Sequence, residues 1–437
     1  MAKKKQDLTP EERLAAALVP KEEWPYALPD EWKWVRLGKI YDVNPKVQAD
    51  DDLEASFVTM SDISPGIKSQ FDFIVRKWGE IKKGHTQFAN GDVAFAKISP
   101  CFENRKSMIL DGLKNGIGAG TTELIVLRNP SIDNKYTFLF ISSEEFIRHA
   151  RNTYKGVVGQ QRINLDFVKN YPMPLPPLSE QRRLVARIES LFAKLDAARE
   201  KVQSVLDSHE TRKAALLHAA FAGKLTAKWR EEQGITFESW HSDTLKNLCE
   251  KITDGTHHSP PNAETGDYMY ITAKNIKETG IELDNVTYVT TAVHKEIYSR
   301  CDVQKGDVLY IKDGATTGIA TVNTLDEPFS LLSSVAVLRP HKDLLLSSYL
   351  KHLLNSAEQR SKMIRNMSGN AITRLTLSKI KATSIKVCSL PEQQEIVRIL
   401  DRLLAREQRA RQAAEETLAA IDRMKQSILA RAFRGEL

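Results

Sequence analysis

The chain is organised around one stretch, which reads SEQRRLVARIESLFAKLDAAREKV at residues 179–202 and continues without proline or glycine to Phe221. Its apolar positions alternate steps of four and three, and they are Leu184, Ile188, Leu191, Leu195, Ala198, Val202 and Val205. This spacing is typical of a helix that winds around a partner helix. At ~1.5 Å per residue the stretch predicts a rod of roughly 60 Å, which needs a second helix to cover its apolar seam.

The chain carries a second copy of this stretch. Residues 390–400 repeat its opening, and Glu392 follows Glu180 by 212 positions (392 − 180). The ends repeat at the same offset, since AFAGKL at 220–225 corresponds to AFRGEL at 432–437. A constant offset predicts two helices of equal length that pair with each other. The second seam is assigned to Leu400, Leu403, Ala410, Ala414, Ile421, Met424 and Ile428, with Glu407 and Thr417 interrupting it.

Composition restricts the class of protein. The 437 residues are enough for two or three domains, and 41% hydrophobic with 27% charged residues indicates a folded, water-soluble chain. The net charge of +7 favours a polyanionic partner. No apolar run reaches the ~20 residues of a membrane span, and no signal peptide follows Met1. The four cysteines are far apart, which predicts free thiols in a reducing cytoplasm.

The rest of the chain divides around the two long helices, and the pattern predicts an α+β fold with internal duplication. The predicted segments are an N-terminal arm (1–30), a first globular domain (31–177), the first long helix (178–225), a linker (226–239), a second globular domain (240–389) and the second long helix (390–437). A capping box at Thr9–Glu12 predicts a short helix through Val19 within the arm.

The two globular domains show the same elements in the same order. Strands are predicted at 91–98 and 123–128 in the first domain and at 306–312 and 334–339 in the second, and helix pairs at 136–152 and 347–363. Sequence identity between the domains is low upstream of these strands. Two domains of one fold with different surfaces, carried by two equal helices, indicate a protein that reads two different targets at a fixed separation.

The duplicated Leu-Ser/Pro-Glu-Gln helix openings, the duplicated Ala-Phe-x-Gly-x-Leu helix ends, and the segments 254–257 and 316–318 together resemble the specificity subunit of Type I restriction-modification systems. The resemblance covers nearly the whole chain from about Trp32 to Leu437. It implies that each globular part is a target recognition domain, which reads one half of a bipartite site in double-stranded DNA. It also implies that the two long helices form an antiparallel coiled coil with pseudo-twofold symmetry, which sets the spacer length.

The resemblance further implies partners and cofactors. The helix pair would dock two methyltransferase subunits, which methylate adenine with S-adenosylmethionine, and added translocase-nuclease subunits would cleave DNA with ATP and magnesium. Independently, roughly 60 Å of helix spans about 18 base pairs at ~3.4 Å each, so two domains near opposite ends would occupy separated grooves. The chain itself is expected to bind no cofactor.

The main alternative is an enzyme, which requires a catalytic motif. No Asn/Asp-Pro-Pro-Tyr/Phe motif of an adenine methyltransferase occurs, and the glycine-rich run 116–120 lacks the dinucleotide spacing, so it is interpreted as a turn. The chemistry is therefore assigned to partners. Two alternatives stay open: a coiled-coil scaffold that binds only proteins, and a stand-alone DNA-modifying enzyme with unrecognised motifs.

Candidate DNA contacts are long polar side chains on predicted loops, because arginine and lysine bind guanine edges or phosphates and amides bind adenine. They are Lys97, Arg105, Lys106, Lys155, Gln160, Gln161 and Arg162 in the first domain, and Thr256, His257, His258, Lys274, Lys312, Arg365, Asn370 and Arg374 in the second. Arg374 follows Arg162 by 212 positions (374 − 162), which favours a shared structural or phosphate-binding role.

The adjacent histidines His257 and His258 invite a metal site. Successive side chains of a strand point to opposite faces, and no cysteine or carboxylate stands at ligand spacing nearby. We therefore interpret 253–261 as a shaped loop that presents Thr256, His257 or His258 to a base or a phosphate.

Overall fold

The computed structural model describes residues 9–157, 160–365 and 375–437. The chain divides into two compact units, the first built from residues up to Val202 together with Glu416–Leu437, and the second from Gln203–Glu415. Each unit combines a globular domain with parts of both long helices. None of the helices in the described ranges has an apolar stretch of the length and hydropathy that a membrane span requires.

The helices are numbered in chain order. They are α1 (Pro10–Ala17), α2 (Leu37–Ile40), α3 (Trp78–Ile81), α4 (Asn134–Ile141), α5 (Glu144–Arg151), α6 (Leu165–Asn170), α7 (Leu178–Asp207), α8 (His209–Phe221), α9 (Ala227–Gln233), α10 (Leu245–Leu248), α11 (Thr291–Arg300), α12 (Ser347–Asn355), α13 (Ala357–Arg365), α14 (Leu377–Lys381) and α15 (Leu390–Phe433).

The strands are numbered in the same way. They are β1 (Lys33–Arg36), β2 (Asp42–Val43), β3 (Glu54–Val58), β4 (Ile74–Lys77), β5 (Thr86–Ala89), β6 (Val93–Ala96), β7 (Ser107–Ile109), β8 (Ile117–Gly120), β9 (Leu124–Arg128), β10 (Pro172–Leu175), β11 (His241–Thr244), β12 (Cys249–Asp254), β13 (Tyr268–Ile271), β14 (Ile276–Lys277), β15 (Gly280–Ile281), β16 (Thr287–Val289), β17 (Val308–Ile311), β18 (Ala320–Val322), β19 (Ser330–Leu331), β20 (Val335–Pro340) and β21 (Ser384–Val387).

The described residues of the first unit form three sheets. One has the order β2-β9-β6-β7, a second has the order β4-β3-β8-β5, and β1 pairs with β10. Strands β3 and β8 run parallel, whereas the other pairings are antiparallel. The strands and the helix pair predicted for this domain are confirmed as β6, β9, α4 and α5.

The second unit repeats this plan. Its sheets have the orders β12-β20-β17-β18 and β16-β13-β19, and β11 pairs with β21. Strands β13 and β19 again run parallel, as β3 and β8 do in the first unit. The β14–β15 hairpin has no paired counterpart among the described strands of the first unit. The predicted α+β duplication is therefore confirmed at the level of strand order.

The long helices pair antiparallel within each unit. In the first unit Lys425 Nζ lies 2.6 Å from an Asp196 carboxylate oxygen, and Arg199 pairs with Asp422. Rising numbers on α7 thus meet falling numbers on α15. In the second unit Arg212 lies 2.8 Å from Glu407, while Leu217 and Phe221 share a core with Ile396 and Leu400. The same direction follows in both units.

The seam residues differ in part from those predicted. Leu184, Ile188, Leu400 and Ile421 are buried, whereas Leu191, Leu195, Val202, Leu403 and Ile428 are only partly buried. The assignment of Met424 was wrong, because this residue is 46% exposed, and Leu429, next to the predicted Ile428, is fully buried. A helix with 3.6 residues per turn drifts away from a strict 3.5-residue repeat, and this drift moves the buried stripe by one residue. Phe192, which the repeat passes over, is also buried.

The predicted first long helix is confirmed over residues 178–221 as α7 and α8, with the single turn residue Ser208 between them. The Ser208 hydroxyl donates a 2.6 Å hydrogen bond to the carbonyl of Ser204, four residues back, a contact that bends helices. No proline or glycine marks this position. The Arg212 guanidinium also donates to the Val205 carbonyl at 3.0 Å, so side chains bond two successive carbonyls at this turn.

The duplicated glutamines anchor the starts of α7 and α15. The Gln181 amide oxygen accepts from the Asp133 backbone N–H at 2.9 Å, and its amide nitrogen donates to the Pro176 carbonyl at 2.9 Å. Gln393 makes the equivalent bonds with the Leu346 N–H and the Cys388 carbonyl, also at 2.9 Å. Each repeated glutamine therefore ties a long helix to the domain that precedes it.

The duplicated Phe-x-Gly ends close the helices in the same way in both units. Phe433 meets the Tyr136 ring edge-on at 5.4 Å, and Phe221 meets Tyr349 at the same distance. Gly435 then has a φ of 75°, a left-handed conformation that favours glycine, and a Cβ there would lie 2.4 Å from Pro29. The repeat thus specifies both the end of the helix and its contact with a domain.

The N-terminal arm forms part of the first unit. Its predicted capping box and helix are confirmed by α1, in which Thr9 and Glu12 bond reciprocally. Farther along, the Tyr26 hydroxyl donates to the Phe433 carbonyl at 3.2 Å, and the Trp34 indole donates to the Tyr26 carbonyl at 3.1 Å. The arm therefore holds the end of α15.

The linker and the glycine run both carry regular structure. The linker contains α9, whose Arg230 is buried and pairs with the fully buried Glu392. The prediction of a turn at 116–120 was wrong, because residues 117–120 form β8, an interior strand of its sheet. A Cβ at Gly118 would lie 2.4 Å from the Phe88 ring, so glycine is needed there for close packing rather than for flexibility.

Candidate nucleic-acid interface

Each unit has a Gly-Asp turn directly before one strand of its first sheet, β6 in the first unit and β17 in the second. The aspartate of each turn binds an arginine. Asp92 accepts both guanidinium bonds of Arg128, at 2.6 and 2.7 Å, and Asp307 accepts both from Arg339, at 2.9 Å each. Both carboxylates are buried. Sequence reasoning found the duplicated strands but missed these pairs, although Gly-Asp at 91–92 and 306–307 was a signal.

In the first unit Arg162 is fixed by a carboxylate. Its guanidinium forms a two-bond fork with Glu123, with Nε and Nη2 each 2.9 Å from a different oxygen. The hydrogen bond to Glu123 raises the pKa of Arg162 above its ordinary value. The Ile163 N–H donates to the carbonyl of Lys97 at 3.0 Å. These bonds bring the loops after β6 and before α6 together.

Other first-unit candidates vary in how freely they reach solvent. The Lys106 ammonium donates to the Met60 carbonyl at 2.7 Å, and Arg105 pairs with Glu144 and donates to the Ser142 carbonyl at 3.0 Å. Lys155 and Gln160 are exposed, whereas Gln161 is partly buried and accepts through its carbonyl from the Ser99 N–H at 2.8 Å. Lys155 and Gln160 are therefore the candidates most accessible to a duplex in this unit.

In the second unit the buried carboxylate of Asp254 is surrounded by basic side chains from three segments of the chain. Asp254 is 2% exposed and pairs with Arg300, with His257 at 3.3 Å and with Lys312 at 3.5 Å. The expectation of no carboxylate near the histidines was thus wrong. The described residues contain no group of three or more metal-type ligands, and Asp254 serves as the counter-ion of this cluster.

The remaining second-unit candidates fall into three groups. Lys312 is buried, and its ammonium contacts the Asp313 carboxylate at 2.9 Å. It therefore stabilises the segment after β17 from inside the domain. Lys274, His258 and Arg365 are exposed, whereas Thr256 is buried. Asn370 and Arg374 lie outside the described residues. Arg300, which sequence reasoning missed, joins the exposed cations, and its position at the end of α11 gave no signal.

The buried cysteines do not supply a nucleophile. Burial raises the pKa of Cys249, Cys301 and Cys388 to about 12 in each case, so these thiols stay protonated at neutral pH. The accessible candidate groups are ammonium, guanidinium, imidazole and amide side chains on loops. Such groups suit noncovalent binding of a polyanion and its base edges.

The fold and these loops define a class of protein: two α+β domains of one topology, each built on an antiparallel pair of long helical segments. The family profile described as the Type I restriction modification DNA specificity domain matches residues 29–206 and again residues 238–416. The two matches cover more than half of the chain. The chain belongs to this family.

Two specificity subunits from Escherichia coli show the similarity in sequence. The chain is 41% identical over 235 residues to that of the Type I restriction enzyme EcoAI and 40% identical over 218 residues to that of EcoEI. These alignments span 52% and 48% of this chain but only 39% and 37% of the two relatives.

A solved structure shows the similarity in fold. Its description concerns complex assembly and conformational transition of the type I R-M system. It matches 94% of this chain and 100% of its own, with a TM-score of 0.73 and 24% identity. The topology described above is therefore shared across the length of the chain.

Proposed function

We propose that this protein is the non-catalytic specificity subunit of a Type I restriction-modification complex and that it binds double-stranded DNA. The observation that carries the proposal is the double match to the DNA specificity domain, which falls on two domains whose four-stranded sheets β2-β9-β6-β7 and β12-β20-β17-β18 have matching strand order. Each domain reads one half of a bipartite site through its loops. The long helices set the distance between the half-sites.

Partner subunits supply the chemistry in this proposal. Two methyltransferase subunits dock on the helix pair and methylate adenine with S-adenosylmethionine, and translocase-nuclease subunits add ATP- and magnesium-dependent cleavage. The protonated thiols and the ion-paired loop side chains of this chain support a binding role. The net charge of +7 supports a polyanionic partner.

The test is a methylome. The chain is expressed with the methyltransferase encoded beside it in a host that lacks adenine methylation, and N6-methyladenine is mapped by long-read sequencing. A split motif with a fixed gap, present only with this chain, is the expected result. The control culture expresses the methyltransferase without this chain. Methylation that is absent from both cultures, or identical in them, would favour a protein-binding scaffold instead.

A further inference from the structure

The second unit contains a concavity of about 760 Å³ whose lining does not include Asp254 or its three basic partners. Its base is formed by Tyr270 of β13 and by Ser334, which follows β19. The other lining side chains used below come from the loops around the β14–β15 hairpin, and they are Lys274, Lys277, Glu282, Asp284 and Asn285. The volume lies in the range of ligand-binding pockets.

Two hydroxyl groups at the base of this concavity are buried without a partner. The Tyr270 side chain is 3% exposed, and its hydroxyl forms no hydrogen bond with any described residue. The Ser334 hydroxyl is likewise buried and unpartnered in the described part of the chain. A buried polar group without a partner destabilises a fold by about 1–3 kcal/mol, and at the wall of a concavity a ligand can supply that partner. Burial raises the pKa of Tyr270 to about 12, so its phenol remains a donor.

The charges around the concavity decide what it binds. Lys274 and Lys277 are matched by Glu282 and Asp284, and Lys277 lies 3.4 Å from Glu282. A phosphate group is poorly served by a site that contains two carboxylates. A base edge, in contrast, carries uncharged donors and acceptors that match hydroxyl, amide and carboxylate groups. Within the described residues Asp284 and Asn285 also make no side-chain hydrogen bond or ion pair, so they are free to accept from a base amino group.

We propose that this concavity holds the base edges of one half of the DNA target and that Tyr270 and Ser334 are specificity-determining residues. The proposal rests on the proposed function and assigns a reading surface to it. In the first unit the position that matches Ser334 is Glu123, since the Lys97 N–H bonds to Glu123 as the Lys312 N–H bonds to Ser334. Glu123 is occupied by Arg162, so the two domains present different groups at the same place.

The experiment uses Tyr270→Phe and Ser334→Ala in the full chain, expressed with its methyltransferase. The matched control is Tyr310→Phe, which also removes a buried, unpartnered hydroxyl from this unit but lies outside the concavity. The probe is a duplex carrying the motif mapped for the wild-type complex, together with duplexes changed at each base pair. Equilibrium binding and the methylome are both measured.

We expect Tyr270→Phe and Ser334→Ala each to lose about tenfold in discrimination at one or two base pairs of a single half-site. Thermal unfolding midpoints should stay equal or rise, because no hydrogen bond within the protein is lost. Tyr310→Phe should leave discrimination unchanged. If the wild-type complex reads a split motif but all three variants read it unchanged, the concavity proposal fails. If the wild-type complex shows no split motif, the proposed function itself fails.

Discussion

The two units share a framework but differ at equivalent positions on it. Gln181 and Gln393 make matching bonds, and Phe433 and Phe221 dock at the same distance on matching tyrosines. Glu180 and Glu392, in contrast, hold different partners. The difference teaches that the duplication preserves the contacts between helices and domains, while neighbouring positions are free to diverge.

The largest expected effect is a difference between the two glutamates at the starts of the long helices. Glu392 is fully buried beside Arg230 and also accepts from the Thr226 hydroxyl at 2.7 Å, whereas Glu180 lies nearer the surface beside Arg183. Glu392→Gln should lower the free energy of unfolding of the second unit by about 3–5 kcal/mol, because a buried guanidinium is left without its charge partner. Glu180→Gln, the matched control, should cost about 1 kcal/mol or less. Urea unfolding of both variants is the measurement, and equal losses would contradict this account.

The register of the helix seam gives the next effect. Leu429→Ala should destabilise the first unit by about 2–5 kcal/mol, because it leaves a cavity at a fully buried position. Met424→Ala, five residues earlier on the solvent side, should change stability by only about 0.5 kcal/mol. Thermal unfolding of the two variants decides between the registers. A larger loss for Met424→Ala would restore the seam predicted from the heptad repeat.

The duplicated aspartates test the similarity of the two units, because their substitution should cause equal losses of stability. Asp92→Asn and Asp307→Asn each weaken a two-bond contact with an arginine, Arg128 or Arg339. Each change should destabilise its own unit by about 1.5–3 kcal/mol, the range for hydrogen bonds to charged groups. Denaturant midpoints of the two variants should fall together. A loss confined to one unit would mean that the turns are not equivalent.

The smallest effect is a pH dependence assigned to the second unit. His294 is buried, stacks on Tyr268 at 3.8 Å and contacts the Ser330 hydroxyl at 3.0 Å, and burial lowers its pKa below the ordinary value. The unfolded chain then binds a proton more tightly than the folded one. The neutral His294 side chain therefore contributes fully to the free energy of unfolding above about pH 6.5, and this contribution is lost as the pH falls below that value.

Urea midpoints at pH 7 and pH 5 measure this contribution. The wild-type protein should lose more stability between these values than His294→Phe, which has no titrating group at the position. Identical pH dependence in the two proteins would assign the loss to other residues.

The sequence predicted what local pattern and repetition determine. The 212-residue offset identified both long helices, and the capping box at Thr9 identified α1. The fork between Arg162 and Glu123 joins residues 39 positions apart, and the buried place of Lys312 depends on Asp254 on another strand. Such contacts form only when distant segments of the chain pack together, so a local sequence pattern cannot predict them. The exposure of Met424 has a different reason, because a helix with 3.6 residues per turn drifts from the 3.5-residue repeat that predicted the seam.

The central claim is that each domain reads its own half of the target. The most direct measurement replaces residues 248–382 with the matching segment of a family member that has a different target, and maps methylation by the chimaera in the same host. The account predicts a methylated motif that keeps one half-site and the length of the gap, while the other half-site becomes that of the donor protein. A change in both halves would contradict it.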